Sequence, residues 1–263
     1  MKIQELFSLN GKVAIVTGGG RGIGYFISKA MAESGANVVV ASRKMENCQK
    51  VADEIQGLGV KALALKCDLR NEEEISSLVD ATMKEFKKID ILVNNSGWGW
   101  LAPTFEYPID KWDRVMSTNV RGPWILTQKV ANLMKDSGGG KIIFISSVMG
   151  MRGASEKTQP AIAYNTSKGA LIAMTMDLAV KWAPYNIYVN AIAPGSFRTE
   201  MTSYYDMEEY RETRNIILSL TPLGRQGGED DIKGVAVFLA SDASNFITGQ
   251  TITVDGGSTA LLH

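Results

Sequence analysis

A tyrosine and a lysine four positions apart, Tyr164 and Lys168, have the side chains for proton transfer. Residues at this spacing share one face of a helix. Because a nearby ammonium favours the phenolate, Lys168 is expected to lower the pKa of Tyr164 from about 10 toward the working pH. The tyrosine could then give or take a proton.

The same spacing occurs twice more, at Tyr25/Lys29 and at Tyr107/Lys111. Spacing alone therefore does not choose among the pairs.

The position of each pair along the chain favours Tyr164. This pair follows a predicted strand, 141–146, that ends in hydroxyl side chains, and it precedes a strand that leads into Pro194 and Gly195. The hydroxyl of Ser147 could donate to a developing alkoxide. The alternative is a strand-end serine bonded to local backbone. The order of elements therefore places the candidate chemistry at Tyr164 and Ser147.

A glycine-rich segment, residues 17–24, follows the first predicted strand directly and opens a helix. A tight turn needs the conformational freedom of glycine, and a helix N-terminus offers free N–H groups to a pyrophosphate. In this context the pattern predicts a dinucleotide site, the alternative being a turn without a ligand. The residues predicted to contact the dinucleotide here are Gly18, Arg21, Gly22, Ile23 and Gly24.

The end of the second predicted strand indicates which dinucleotide would bind. The strand ends in Ala41-Ser42-Arg43-Lys44 and has no acid, whereas an NAD site usually places a carboxylate about 20 residues after the glycines. Arg43 would hold a 2′-phosphate, Ser42 could donate a hydrogen bond to it, and Arg21 could flank it. The sequence therefore predicts NADP(H) over NAD(H). The alternative is that Arg43 and Lys44 are solvated loop charges.

These segments must be positioned by a regular scaffold, and short β-branched runs alternate with helical patterns along the whole chain. Strands are predicted over residues 12–17, 37–42, 60–67, 89–94, 141–146, 187–192 and 251–254. Helices are predicted over residues 22–34, 45–57, 71–87, 108–135, 161–182, 203–219 and 229–240. The alternation predicts an α/β fold: a single domain, residues 1–263, with a Rossmann-type, doubly wound, parallel seven-stranded sheet and helices on both faces.

Composition excludes several other classes of protein. The 28 basic and 28 acidic side chains balance, which argues against a nucleic-acid or anionic-membrane partner. A single histidine, His263, leaves no His-based triad or multi-histidine metal site. Cys48 and Cys67 suggest buried thiols in a reducing compartment. Residues 1–10 lack a signal-peptide core and no apolar run approaches about 18 residues, so a cytoplasmic protein is expected.

Taken together, the motifs resemble those of the short-chain dehydrogenase/reductase family. The family patterns T-G-x-x-x-G-x-G, N-N-A-G, I-S-S-x-x-G, Y-x-x-x-K and P-G-x-x-x-T match residues 17–24, 94–97, 145–150, 164–168 and 194–199. One departure is Ser96 in place of the alanine. The resemblance covers nearly the whole chain, from Gly11 to Gly257.

The resemblance implies four catalytic residues and a homotetramer. Ser147 would orient the substrate carbonyl, Tyr164 would transfer the proton, and Lys168 would tune Tyr164 and hold the nicotinamide ribose. Asn119 would hold a water that links Lys168 to solvent. A solvated or locally bonded residue is the alternative for a helical asparagine.

The resemblance also implies further contacts with NADP(H). Asp68 would contact the adenine amino group, and Thr199 would donate to the nicotinamide carboxamide. The remaining members of the implied set are Leu69, Asn95, Gly97, Pro194 and Gly195, together with Tyr164 and Lys168.

The substrate is expected to be a small-molecule ketone or secondary alcohol, and its class stays open. A 3-oxoacyl thioester, as in the oxoacyl-carrier-protein reductases, is the first expectation. A sugar-acid ketone is the second, because residues 7–12 resemble the start of the gluconate 5-dehydrogenases. A bulky lipophilic ketone is the third. It would suit an apolar pocket formed by Trp98, Trp100, Leu101, Met149, Met151, Met201, Tyr204, Tyr205 and Met207. The alternative class of function is a protein that binds the dinucleotide without catalysing a reaction.

Residues 152–159 add length between Ser147 and Tyr164 relative to the family pattern. They are mostly polar. A sheet-based scaffold tolerates such an insertion, so a polar excursion near the mouth of the site is expected.

Overall fold

The structure, a computed structural model, describes residues 1–199, 207–208 and 211–261. A parallel β-sheet lies at its centre. Its strands are β1 (Val13–Thr17), β2 (Asn37–Ser42), β3 (Ala62–Lys66), β4 (Ile91–Asn94), β5 (Gly140–Ile145), β6 (Ile187–Pro194) and β7 (Thr251–Val254). Within the described residues the seven strands lie in the order β3-β2-β1-β4-β5-β6-β7, with every neighbouring pair parallel. The strand order reverses between β1 and β4, where a doubly wound sheet opens a crevice for a ligand. The predicted fold class is confirmed.

The strands are apolar on both faces because helices cover both. On β1, Ala14 and Val16 point into one buried cluster and Ile15 into the other. The same alternation continues through the central strands, which explains why they are nearly continuous apolar runs in the sequence.

Apart from α1, which precedes β1, the helices lie between successive strands, as predicted. They are α1 (Ile3–Leu6), α2 (Gly22–Glu33), α3 (Met45–Gln56), α4 (Glu72–Phe86), α5 (Ile109–Met116), α6 (Gly122–Asp136), α7 (Ile162–Trp182), α8 (Arg211–Ser219) and α9 (Glu229–Ala240). Helices α2, α3 and α9 pack on one face of the sheet, and α4, α6 and α7 pack on the other. The side chain of Asn71 caps α4 by accepting hydrogen bonds from the amides of Glu73 and Glu74.

The predicted helix 108–135 is wrong as a single element. A π-helical turn, Ser117–Arg121, separates α5 from α6. Pro123 has no amide hydrogen, so the carbonyl of Asn119 lacks its usual α-helical donor. Within the π-helical turn, the amide of Gly122 donates to the carbonyl of Ser117, five residues earlier. Such single turns are often found at functional sites.

Two other differences from the predicted elements concern an additional short helix and the start of one predicted helix. The short helix α1 was not expected. The predicted helix 203–219 is seen from Arg211 onward, and its first part falls largely outside the described residues. Among the helices of the described ranges, none has the length and apolar character needed to cross a membrane.

Candidate active site

A cleft of about 290 Å³ lies at the carboxyl ends of the central strands. Its walls contain all the residues predicted to bind the dinucleotide: Gly18, Arg21, Gly22, Ile23, Gly24, Ser42, Arg43, Asp68, Leu69, Asn95, Gly97, Tyr164, Lys168, Pro194, Gly195 and Thr199. Ser147 lines it as well, whereas Asn119 does not. Segments from six strand ends therefore meet at one place, although they are far apart in the sequence.

The glycine turn after β1 is shaped by steric limits. Gly18 and Gly22 have φ angles of 64° and 54°, in the left-handed region that favours glycine. A Cβ on Gly24 would come within 2.2 Å of the carbonyl oxygen of Gly18. The first turn of α2 can therefore lie directly on the loop only because residue 24 has no side chain. This arrangement brings the free N–H end of α2 to the cleft.

Thr17 fixes the turn to the strand-end loop that follows β4. Its hydroxyl donates to the carbonyl of Val93 at 3.3 Å and accepts from the amides of Asn95 and Ser96 at 3.0 and 3.1 Å. The Asn95 side-chain amide in turn donates to the carbonyl of Thr17 at 2.9 Å and to that of Gly18 at 3.3 Å. Sequence reasoning gave Thr17 no role, although its place at the start of the glycine pattern was a signal.

The outer end of the cleft is cationic. Arg21 and Arg43 line it beside Ser42, and Lys44 and Asn47, which the sequence prediction left out, line it too. Cations and hydrogen-bond donors of this kind suit a phosphate group.

Asp68 is the acid at this end, and it is paired. The guanidinium of Arg70 donates to both carboxylate oxygens of Asp68, at 3.0 Å from Nε and 2.6 Å from Nη2. The hydrogen bonds from Arg70 hold the pKa of Asp68 below its usual range. Arg70 was not predicted, and a cation two positions after the acid was the available signal. The ion pair offsets a negative charge that would repel a phosphate.

Tyr164 and Ser147 are side by side at the inner end. Burial raises the pKa of the Tyr164 hydroxyl, and a hydrogen bond with Ser147 acts in the opposite direction. The expected lowering of this pKa by Lys168 is wrong. The Lys168 ammonium lies 5.4 Å from the centre of the tyrosine ring, and desolvation of the phenolate dominates. At neutral pH the hydroxyl is therefore protonated and able to donate.

Lys168 is buried and is held by the end of β5. Its Nζ donates to the carbonyl of Ile145 at 2.7 Å, and its own carbonyl accepts from the hydroxyl of Ser146 at 2.8 Å. Burial lowers the pKa of Lys168 to about 8. The roles of Ile145 and Ser146 were missed because a backbone carbonyl and a neighbouring serine carry no distinct sequence signal.

Asn119 lies behind the wall of the cleft, fully buried. Its Oδ1 accepts from the amide of Trp98 at 2.8 Å, and its Nδ2 donates to the carbonyl of Trp98 and to the hydroxyl of Ser167, both at 2.9 Å. Both side-chain donors are therefore engaged. The backbone carbonyl of Asn119, which cannot bond to Pro123, is one acceptor able to bind a water, and the predicted water relay stays a prediction.

Trp98 and Gly99 also line the cleft, and Gly99 lies against the ring of Tyr164, so this side is expected to receive the substrate. The Arg114 guanidinium lies 4.4 Å from the Trp98 ring centre. Trp100 and Leu101, predicted to be part of the pocket, are exposed outside the lining. Other members of the predicted apolar set also stay out of the lining: Met149, Met151 and Met207. Three more fall outside the described residues: Met201, Tyr204 and Tyr205.

These features fit a dinucleotide. The glycine cradle leaves no room for a Cβ at Gly24, cations line one end, and a protonated tyrosine lines the other. The residues that would hold the group are those of the glycine turn, Ser42, Arg43 and Lys168. When bound, a nicotinamide dinucleotide supplies or accepts a hydride. Fold and site together define a nicotinamide-dependent oxidoreductase.

Comparisons with known proteins agree with this class. Residues 18–259 match the family model described as enoyl-(acyl carrier protein) reductase. The chain is 38% identical to gluconate 5-dehydrogenase of Gluconobacter oxydans over 100% of both chains. It is 40% identical to 2-dehydro-3-deoxy-D-gluconate 5-dehydrogenase of Pseudoalteromonas atlantica over 96% of this chain and 98% of that one. The chain belongs to the short-chain dehydrogenase/reductase family.

A solved structure of a related enzyme has the same fold. The crystal structure of a gluconate 5-dehydrogenase from Burkholderia cenocepacia, in complex with NADP and tartrate, superposes with a TM-score of 0.91. It is 34% identical and the match covers 99% of this chain and 100% of that chain. The prediction of an enzyme of this family is confirmed, and the sugar-acid alternative agrees better with these relatives than the 3-oxoacyl reading does.

Proposed function

We propose that the protein interconverts a keto group and a secondary alcohol on a sugar acid, with NADP(H) as the hydride carrier. The observation that carries this proposal is the full-length likeness to two enzymes named for the 5-position of gluconate-type acids. The 3-oxoacyl thioester reading lacks comparable support among these relatives.

Three side chains would perform the proton chemistry. In the reductive direction Tyr164 gives its hydroxyl proton to the carbonyl oxygen, for which the raised pKa suits it. Ser147 donates a hydrogen bond to the same oxygen as negative charge develops there. Lys168, anchored on Ile145, holds the nicotinamide ribose and resupplies the proton. The overall change is ketone plus NADPH plus a proton to alcohol plus NADP⁺.

The preference for NADP(H) rests on the outer end of the cleft. Arg43, Ser42 and Arg21 line it, and the acid that lines it, Asp68, is paired with Arg70. A guanidinium holds a phosphate through charge-assisted hydrogen bonds, and such bonds contribute about 1.5–3 kcal/mol each.

Steady-state reduction tests the proposal. NADPH and NADH oxidation are measured with 5-keto-gluconate, a 3-oxoacyl thioester and a bulky cyclic ketone, using wild type, Tyr164→Phe and Arg43→Ala. We expect turnover of the keto acid with NADPH, a loss of about 10²–10⁴-fold in Tyr164→Phe, and a KM for NADPH raised about 10–100-fold in Arg43→Ala. Preferred reduction of the thioester would sink the sugar-acid assignment. Full activity in Tyr164→Phe would mean that another group donates the proton.

We also propose that the protein is a homotetramer and that it acts in the cytoplasm. Exposed apolar side chains on α5 and α7, namely Ile109, Met176 and Val180, support burial of these helices between subunits. Light scattering at a mass near 28.6 kDa, that of one chain, would contradict the tetramer.

A further inference from the structure

We propose that Glu156 and Thr104 form a clamp that positions the substrate side of the cleft. The clamp joins residues 98–106, the tryptophan loop, to residues 152–160, the polar loop. It deepens the function proposed above and rests on it, because the substrate it serves is the ketone that Tyr164 protonates.

The tryptophan loop borders the reacting end of the cleft, and the polar loop connects the two reacting residues, Ser147 and Tyr164, along the chain. The tryptophan loop begins with Trp98 and Gly99, which line the cleft. A Cβ on Gly99 would lie only 3.4 Å from the ring of Tyr164. The polar loop lies in the chain between Ser147 and Tyr164. A change in the distance between the two loops therefore changes the space beside the tyrosine hydroxyl.

The clamp is a two-point, charge-assisted contact. The amide of Thr104 donates to Oε1 of Glu156 and its hydroxyl donates to Oε2, each at 2.6 Å. These bonds hold the pKa of Glu156 below its usual value. One backbone bond, from the amide of Ala102 to the carbonyl of Pro160 at 2.9 Å, runs parallel to the clamp. In the described part of the chain these three hydrogen bonds join the two loops.

The other anchors of the tryptophan loop lie on its opposite side. Trp98 is held by the buried amide of Asn119. The carbonyl of Trp100 accepts from the hydroxyl of Tyr107 at 3.1 Å, and the Lys111 ammonium lies 5.2 Å from the Trp100 ring centre. These contacts tie the loop to α5 and to the π-helical turn. Removing Glu156 would leave the Ala102–Pro160 bond as the one described hydrogen bond between the two loops, so the substrate side would open more easily.

Substrate and cofactor should therefore respond differently to loss of the clamp. The dinucleotide residues of the glycine turn and of β2 make none of these contacts, whereas the substrate must sit beside Gly99 and Tyr164. We expect Glu156→Ala to raise the KM for the ketone about tenfold, with kcat and the Kd for NADPH changed less than about threefold. A loss of this size is the usual range for charge-assisted hydrogen bonds.

The experiment compares Glu156→Ala, Thr104→Val, the double variant and Thr104→Ser. Thr104→Ser keeps both donors and should behave as wild type, and the double variant should be no worse than Glu156→Ala because both changes break one contact. Lys157→Ala, a neighbouring exposed change in the same loop, is the matched control and should leave KM unchanged. Hydrogen–deuterium exchange of peptides covering 98–106 should accelerate in Glu156→Ala and not in Lys157→Ala.

The KM is measured with whichever ketone of the panel the wild-type enzyme reduces best, so failure of the sugar-acid assignment leaves this test intact. An unchanged KM in Glu156→Ala would overturn the clamp, as would a Kd for NADPH that rises together with KM. Equal effects of Lys157→Ala and Glu156→Ala would also overturn it, since loop charge and not the contact would then be responsible.

Discussion

The protonation state of Tyr164 is set by two opposing influences at the scale of single residues. Burial disfavours the phenolate and a hydrogen bond with Ser147 favours it, with burial the larger. Lys168 is itself desolvated, so its pKa falls to about 8 and part of its charge is lost in mildly alkaline solution. The tyrosine is therefore an acid at neutral pH, and it becomes a base only as the pH rises.

The two directions of the reaction should consequently have different pH profiles. Ketone reduction needs the protonated hydroxyl, so its kcat should stay level from pH 6 to about pH 9, a range over which the raised pKa keeps Tyr164 protonated. Alcohol oxidation needs the phenolate, so its kcat should rise by up to about tenfold per pH unit over the same range. Both are measured with saturating cofactor, and Tyr164→Phe is the control. Oxidation already level at pH 7 would show that the pKa of Tyr164 is lowered in the working enzyme.

At the scale of elements, two local features of the backbone shape the site: a close helix–turn contact and a π-helical turn. The close contact of α2 with the glycine turn brings the N–H end of a helix to the cleft. The π-helical turn between α5 and α6 directs the side chain of Asn119 to the backbone of Trp98 and releases its own carbonyl. Both depend on residues with unusual backbone properties, glycine in the first case and Pro123 in the second.

Gly24→Ala tests the first contact. The new methyl group would meet the Gly18 carbonyl at 2.2 Å, so turn and helix must separate. We expect a loss of about 1–3 kcal/mol in the free energy of unfolding and at least about tenfold weaker NADPH binding, measured by urea unfolding and by fluorescence titration.

Gly234→Ala is the matched control, because residue 234 is also helical and a Cβ there meets nothing within 4 Å. It should be neutral or stabilise by up to about 1 kcal/mol. NADPH binding unchanged in Gly24→Ala would contradict the role of the cradle.

At the scale of the whole molecule, the last part of the chain is fastened to the centre of the sheet by a buried lysine. Lys141, at the start of β5, donates to Ser244 and Asn245 at 3.2 and 2.8 Å. Its ammonium also lies 3.8 Å from the centre of the Tyr188 ring. Burial lowers the pKa of Lys141 to about 8, although the charge of Asp242 opposes this shift. The folded state therefore binds fewer protons here than the unfolded state at alkaline pH.

This difference predicts how stability depends on pH. Between pH 8 and about 10.5 the unfolded chain keeps the Lys141 proton that the folded chain has lost, so the contribution of this residue to stability rises with pH. Relative to Lys141→Met, the free energy of unfolding of wild type should increase by an amount on the order of 3 kcal/mol across this window. Urea unfolding at pH 7.5, 9 and 10 measures it. Lys135→Met, which removes an exposed ammonium that also lies over a tyrosine ring, controls for the loss of one charge. A wild-type advantage that is constant or shrinks with pH would refute the prediction.

The sequence by itself determined the order of elements, the parallel sheet and the set of segments that meet at the cleft. Those features follow from local causes: apolar runs of strand length, helical periodicity and glycines where the turn after β1 needs left-handed angles. Even the polar excursion at 152–159 was predictable, because its composition and its place between Ser147 and Tyr164 are visible in the chain.

The tertiary structure alone decided what the individual side chains do. The pKa of Tyr164 moved opposite to expectation because desolvation depends on neighbours distant in the chain. Asn119 turned out to bind the backbone of Trp98, and Glu156 to reach Thr104 52 positions away. Hydrogen bonds and burial of this kind depend on how the elements pack, and spacing in the sequence carries no record of them.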